Sequence, residues 1–345
     1  MSERLTGREN VCSAPGRAGI IGNPTDMYGG AVISCTVGMR AHVHVQSDSE
    51  LVLETNGEVC PIVTREDLRP QGDRFDVGRA VIDYLHLPPR GCRIRYRSEI
   101  PMRSGMAGST ALVVAMLQAL HAWRARPLDS YRLAERARTI ELNHLKVVCG
   151  YQDAYMCAFG GLNYMDFRGK HFYRSEEAEV FATVEPLESY VSALPFMLAH
   201  TGVRHDSGGV HRPIRERWLE GETRVVEAYE RITEIARAGK KALLLQDWKT
   251  LGSLMNENHA LQRDLGGSGE ANERLIAAAV AVGAPGAKLA GAGGGGTIIA
   301  LWPGEDTTPL ESALRAAGAT ETYRLEVAPG ATLIERGARE GTADT

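Results

Sequence analysis

Ile100-Pro101-Met102-Arg103-Ser104-Gly105-Met106-Ala107-Gly108-Ser109-Thr110-Ala111-Leu112-Val113-Val114 leads from a strand-like segment, through a loop bearing two glycines, into an apolar run of helical character. A junction of that kind gathers the unpaired N–H groups of a helix's first turn and the positive end of its dipole at one point, which makes an anion site. Ser109 and Thr110 fall where one hydroxyl can cap the helix and the other can ligate a phosphate-bound Mg2+. The same stretch also fits an ordinary strand-to-helix turn whose serine only caps. No GxxxxGK[ST] occurs anywhere in the chain, so a Walker-type phosphate loop is excluded.

Working outward, two more glycine-bearing segments stand far from this one: Ser13-Ala14-Pro15-Gly16-Arg17 and Lys288-Leu289-Ala290-Gly291-Ala292-Gly293-Gly294-Gly295-Gly296. Each alone is weak, because glycine serves any turn that needs positive φ. Together the three read as parts of one phosphate-handling site, the signature of a small-molecule kinase. Residues 291–296 also satisfy the literal GxGxxG dinucleotide pattern. That fingerprint belongs between a strand and a helix, with an acidic residue about twenty positions on. Here the glycines precede strand-like Thr297-Ile298-Ile299-Ala300-Leu301-Trp302 near the end of the chain. Close backbone approach to a ligand, with Lys288 just upstream, is the better reading; a plain flexible hairpin is the other.

The chain's 345 residues, 43% of them hydrophobic, suffice for a large core and suggest two packed lobes. A net charge of −4 offers no basic face to a nucleic-acid backbone, so no nucleic-acid partner is expected. Cys12, Cys35, Cys60, Cys92, Cys149 and Cys157 form no CxxC pair and read as buried thiols of a reducing compartment. The first ten residues are charged and lack a secretory apolar stretch, and the longest apolar runs are too short to cross a bilayer. A cytoplasmic protein with no membrane partner is the expectation; oligomeric state is left open.

Strand-like runs are expected at 11–21, 39–46, 51–55 and 92–97, with one helix near 76–85. From 109 to 143 the pattern is helical, broken by Arg126-Pro127-Leu128-Asp129. A short helix at 152–159 precedes a turn into a strand, and 194–201 reads as another strand. Between 213 and 282 lie several amphipathic helices; Val225, Tyr229, Ile232, Ile235 and Ala236 recur at helical spacing and should face a core. The tail alternates strand (297–301), helix (309–317) and strand (323–327), then frays beyond about 335. The first lobe should end near 195, dividing the chain into 1–195 and 196–345.

With these residues in view, the chain resembles the GHMP kinase superfamily. That family's first signature, roughly APGRxxxxGxxTDxxGG, is met by Ala14-Pro15-Gly16-Arg17-Ala18-Gly19-Ile20-Ile21-Gly22-Asn23-Pro24-Thr25-Asp26-Met27-Tyr28-Gly29-Gly30. The second, PxxxGLxxSSA, is met from Pro101 to Ala111 with Met106 for Leu, a volume-conserving exchange, and Thr110 for the second Ser. The third, KxxGAGxGG, is met from Lys288 to Gly296. Within the superfamily the wording is similar to that of glucuronokinases, anomeric sugar kinases. They share the form of Gly22 to Asp26, of Gly105 to Ala111 and of Gln152 to Phe167, together with Asp206-Ser207-Gly208-Gly209-Val210-His211.

The resemblance implies an α+β, two-lobed GHMP kinase fold, with a ribosomal S5 domain 2-like N-terminal lobe and a ferredoxin-like C-terminal lobe. It implies ATP and Mg2+, and a small-molecule acceptor. The phosphate loop would comprise Pro101, Gly105, Met106, Ala107, Gly108, Ser109 and Thr110, with Ser109 or Thr110 on the metal. Asp153 would be the catalytic base, though on the residues alone it could equally cap the helix that begins near Gln152. Arg17 would stand beside it, keeping the carboxylate ionised and offsetting charge on the transferring group, where a surface ion pair is the plainer alternative. Asp26 would bind sugar hydroxyls or, read locally, serve as a turn residue. Asn23, Gly291, Ala292, Gly293 and Gly294 would complete the acceptor side. At Asn23 the galactokinase branch carries Glu, directed toward the sugar's C6 hydroxyl. A neutral amide there removes a like-charge clash with a C6 carboxylate and so favours a uronic acid, D-glucuronate first. Arg103, Arg204 and Arg212 are candidate partners for that carboxylate. Another aldose, a mevalonate-like acid, or a sugar sensor without transfer remain as alternatives.

Overall fold

The computed structural model describes residues 9–335 except 102–103, 172–173, 175, 192–193, 204–206 and 292, and describes no side chain at 177, 207–212 or 335. Its elements run β1 (Glu9–Ile21), β2 (Ala31–Ser47), β3 (Leu51–Thr55), β4 (Glu58–Ile62), α1 (Asp76–Tyr84), β5 (Cys92–Ser98), α2 (Gly108–Trp123), α3 (Ser130–Asn143), α4 (Gln152–Phe159), β6 (Leu162–Asp166) and β7 (Thr183–Pro186). They continue as β8 (Phe196–His200), α5 (Ser207–Leu219), α6 (Thr223–Leu244), α7 (Trp248–Asp264), α8 (Glu270–Ala281), β9 (Gly286–Leu289), β10 (Thr297–Leu301), α9 (Thr308–Ala316), β11 (Glu321–Arg324) and β12 (Thr332–Glu335).

Two sheets result. The first takes the order β12-β1-β2-β5-β3-β4, with β6 paired to β2 and β7 to β6; the second is an antiparallel four-stranded sheet, β11-β8-β10-β9. The mixed α+β class expected from the sequence is what forms. β2 is long enough to serve two partners: its first residues pair with β6 and its last with β5. Along 41–47, buried Ala41, Val43 and Val45 alternate with partly exposed His42, His44 and Gln46, the period-2 pattern of a sheet packed on one face. Against that face lies α2, whose residues from Thr110 to Leu117 are all buried. A helix apolar all round must be central, and α2 contacts β1, β2, α3 and α4.

Pro127 ends the helical run as expected, and Asp129 starts α3 by accepting from the Arg132 N–H at 2.9 Å. Val225, Tyr229, Ile232, Ile235 and Ala236 are buried on α6, whose stripe packs on α7 and the first sheet. Each of the larger side chains in that stripe contributes about 2 kcal/mol by leaving water. Several elements differ from expectation: β2 starts at Ala31, well before 39, and β7 and β12 have no counterpart among the expected strands. β4 was not expected, although Asn56 and Gly57, with φ of 51° and 79°, make the two-residue turn that returns the chain from β3. β11 ends at Arg324 instead of reaching 327, because Thr36 Oγ1 accepts from the Ala328 N–H at 3.0 Å and draws the chain back to the first sheet, where β12 pairs with β1.

Candidate active site

The first glycine segment lies in β1, the strand against which both other segments fold. Register with β2 shifts between Pro15 and Arg17, a bulge with Gly16 at its centre. Bulges re-aim the side chain that follows. A Cβ on Gly16 would lie 2.7 Å from the Met106 carbonyl oxygen, so only glycine permits the second loop to close here. The Arg17 N–H donates to that same oxygen at 3.1 Å. Farther along β1, the Gly19 N–H donates to the Ala290 carbonyl at 2.8 Å, and a Cβ there would stand 3.0 Å from that oxygen. One strand therefore carries the middle loop on one stretch and the C-terminal loop on the next.

Arg17, 6% exposed, is the hub. Its Nε and Nη2 approach Asp153 Oδ1 at 2.7 and 2.6 Å, while Nη1 donates to the Gly105 carbonyl. The guanidinium fork thus ties the acid to the middle loop, and the surface ion-pair alternative is set aside. Both contacts fall on Oδ1; Oδ2 of Asp153 accepts no hydrogen bond among the described residues, and the side chain keeps 29% of its surface open.

Asp153 sits in the first turn of α4, but it does not cap that helix. Asp26 does: its Oδ2 accepts from the Tyr151 N–H at 2.7 Å and the Gln152 N–H at 2.9 Å. Of the two readings open for Asp153, the cap belongs to another residue. Asp26 is buried, and burial pushes its carboxyl up to about 6, helped by the nearby Asp153 charge and opposed by the two backbone N–H groups. Its remaining oxygen, Oδ1, is the atom left for a ligand hydroxyl. A Cβ at Gly150 would fall 1.9 Å from Asp26 Oδ2, so glycine at 150 is what admits the cap.

In the middle loop Gly105 (φ 75°) and Ala107 (φ 62°) take left-handed conformations and aim the start of α2 back at Arg17. The expected hydroxyl cap is not made. Ala107 occupies the cap position with no side-chain bond, which leaves the N–H groups of Gly108, Ser109 and Thr110 for an anion. Pro101 is half-buried at the loop's entry and Met106 is buried beneath it.

Thr110 instead donates to a residue that sequence reasoning missed. Its Oγ1 lies 2.9 and 2.8 Å from the two carboxylate oxygens of Glu141, on α3, and Ser109 also bonds to that carboxyl group. Burial pushes Glu141 up to about 8, with Asp153 adding like charge and the two hydroxyls and Arg17 opposing. A buried carboxyl held by two hydroxyls at an uncapped helix start suits a hard cation that keeps phosphate and water as its other ligands. No group of three His, Cys, Asp or Glu side chains that could hold a metal ion occurs among the described residues.

The C-terminal loop joins antiparallel β9 and β10, so the dinucleotide geometry of strand then helix is absent and that reading falls. Neither is it a flexible hairpin. Gly293 to Gly296 all have positive φ, and Asn272 clamps Gly295 by accepting from its N–H at 2.7 Å and donating to its carbonyl at 3.1 Å. A Cβ on Gly291 would lie 2.4 Å from the Gly105 carbonyl, and Thr297 Oγ1 donates to the Ser104 carbonyl at 2.9 Å, so this loop buttresses the middle loop. Gly293 backs onto the Gly267 carbonyl. Asn23 is 5% exposed; its Oδ1 accepts from Lys288 Nζ at 2.6 Å and its Nδ2 stands 3.4 Å from the Gly291 carbonyl. Ala292, Arg103, Arg204 and the Arg212 side chain lie outside the described residues.

Residues 76–161 match the family described as GHMP kinases N terminal domain, 240–320 that described as GHMP kinases C terminal, and 3–47 the galactokinase galactose-binding signature. Glucuronokinase 1 of Arabidopsis thaliana is 28% identical over 336 residues, 91% of each chain. A mevalonate kinase of Methanothermobacter thermautotrophicus is 30% identical over 299 residues, 86% of this chain and 91% of the relative. Among solved structures, Lactococcus lactis galactokinase complexed with galactose superposes with a TM-score of 0.75 at 17% identity, over 94% of this chain and 95% of that one, a likeness of fold.

Proposed function

The chain belongs to the GHMP kinase family, and on that premise we propose that this phosphotransferase moves the γ-phosphoryl group of ATP to the anomeric hydroxyl of a sugar acid, with D-glucuronate the best fit. The observation that carries the reading is Arg17, which holds Asp153 Oδ1 and the Gly105 carbonyl at once and leaves Asp153 Oδ2 open beside the uncapped start of α2. Asp153 takes the anomeric proton through Oδ2 as the sugar oxygen attacks the γ-phosphorus; the bond to the β,γ-bridging oxygen breaks, and ADP and the sugar 1-phosphate result. Arg17 holds Asp153 in place through Oδ1 during approach and offsets charge at the transferring group. The first-turn N–H groups of α2 hold the triphosphate, and Ser109, Thr110 and Glu141 would hold Mg2+. When bound, the metal supplies charge neutralisation to the phosphates. Phosphoryl transfer asks little covalent chemistry of a protein, so alignment supplies most of the acceleration.

Asn23 and the likeness to a glucuronokinase support a uronate acceptor. The 30% identical mevalonate kinase supports the second reading, a different hydroxy acid in the same place. Purified protein given Mg2+, ATP and D-glucuronate, D-galactose, L-arabinose or mevalonate separates them: fastest turnover on glucuronate is expected, and turnover no faster than on galactose rejects it. The functional lobes are proposed to divide at 195, 1–195 carrying the phosphate loop and Asp153 and 196–345 the third loop. A cytoplasmic setting is proposed on the six free cysteines; no helix among the described residues is long and apolar enough to cross a membrane.

A further inference from the structure

Lys288, on β9, is 1% exposed, and its ammonium has three donors, of which two are used: Nζ donates to Asn23 Oδ1 at 2.6 Å and to the Leu289 carbonyl at 2.5 Å. Neither partner is charged. Among the described residues no carboxylate comes within ion-pair distance of it, whereas two other deeply buried cations have theirs: Lys170 lies 2.7 Å from Glu135 and 3.1 Å from Glu179, and Arg79 pairs with Asp73 and Asp76. Arg17 on β1 adds positive charge near Lys288, while burial holds His259 on α7, engaged with Glu273 of α8 at 2.9 Å, below its ordinary value. Burial, with Arg17 adding, pulls Lys288 down to about 7. A buried cation in that position costs stability until an anion joins it.

The amide between this cation and the acceptor side has its orientation dictated. As an ammonium, Lys288 can only donate, so Asn23 turns Oδ1 toward Nζ and Nδ2 away from it, where Nδ2 reaches the Gly291 carbonyl at 3.4 Å. Asn23 therefore presents an N–H donor with a positive charge directly behind it, at the meeting of the first and third loops. A ligand hydroxyl could accept from that N–H; a carboxylate would accept and also supply the missing counter-charge.

We propose that Lys288 is a positioning residue that, acting through Asn23, makes the acceptor site select a carboxylate-bearing substrate. The proposal rests on the sugar-acid reading above and gives it a physical device.

The test compares KM for D-glucuronate, D-glucose and ATP in the wild type, Lys288→Met, Lys288→Arg and Asn23→Asp. Lys288→Met should raise KM for glucuronate about tenfold or more, the worth of one charge-assisted hydrogen bond, with KM for ATP and glucose moved less than about twofold. Lys288→Arg, which keeps charge and donors, should restore most of the preference. Asn23→Asp gives the lysine an internal counter-ion of unchanged shape, so it keeps the proposal testable should Lys288→Met fail to fold, and it too should abolish the preference. Variants that keep the wild-type ratio of glucuronate to glucose, or raise KM for ATP by the same factor, overturn the proposal while leaving the sugar-acid reading intact. A wild type with no preference for glucuronate over glucose rejects the sugar-acid reading and the proposal together.

Discussion

Glu141→Gln should yield a protein that is more stable and inactive. Glu141 is 4% exposed, and its carboxyl is pushed from an ordinary 4.5 to about 8. At pH 7 the unfolded chain therefore carries this group ionised and the ligand-free fold carries it protonated, so folding must take up a proton. Because the folded value is raised, the group's full stabilisation is present below 4.5 and is lost progressively as pH climbs toward about 8. Between 4.5 and 7 that loss runs at about 1.4 kcal/mol per pH unit, or about 3 kcal/mol in all. Glutamine has the same shape, still accepts from Thr110 through Oε1 and has no proton to acquire, so the variant escapes the loss. In a chain of 345 residues about 3 kcal/mol corresponds to a rise of roughly 4 °C in Tm. Thermal unfolding in EDTA without nucleotide, at pH 4.5, 6, 7 and 8, reads the effect: no gap between variant and wild type at the lowest pH, then a gap widening with pH. Turnover with Mg2+ and ATP should fall by about a hundredfold or more, since the amide cannot supply the anionic oxygen a hard cation requires. A variant that melts below the wild type at pH 7, or a gap that does not change with pH, refutes the reasoning and makes Glu141 an ordinary structural carboxylate.

Asp153→Asn should lower kcat by about a thousandfold, the worth of a positioned base, with ATP affinity by calorimetry unchanged; retained turnover removes it as the base. Gly150→Ala puts a methyl group 1.9 Å from Asp26 Oδ2 and so dislodges the carboxylate from the Tyr151 and Gln152 N–H groups. Losing two hydrogen bonds to a charged group should cost about 3 kcal/mol in urea unfolding, and a variant as stable as the wild type would show that Asp26 does not hold α4. Arg17→Lys keeps the charge but cannot reach Asp153 and the Gly105 carbonyl together, so kcat should drop about a hundredfold in steady-state assays. Full activity in that variant would mean the fork is dispensable.

What the sequence made legible was whatever the backbone demands locally. The α4 boundaries, 152 to 159, follow from glycines at 150 and 160, and the break before α3 follows from Pro127 and the capping Asp129. The Asn56-Gly57 hairpin carried an equally local signal and could have been read. Electrostatic partnerships left no such trace. Thr110 meets Glu141 31 residues away, Asp26 caps a helix 125 residues on, and Asn23 meets Lys288 across 265 residues. Nothing in the neighbourhood of Glu141 distinguishes it from Glu135, which serves a lysine elsewhere in the core.

Glycine is the exception that bridges the two regimes. Gly16 and Gly19 lie in a strand, where glycine weakens local structure and has no turn to serve. Each stands where a backbone from a distant loop closes to within 3.0 Å of the space a side chain would fill. A glycine that is locally unfavourable records a nonlocal approach, which is why the first segment, though it lies in β1 and not at the start of α2, located the strand on which the other two converge. The same logic explains why the charges around it could not be placed in advance: a missing side chain marks that something comes close, and only the fold says whether it brings a carbonyl, a carboxylate or a lysine.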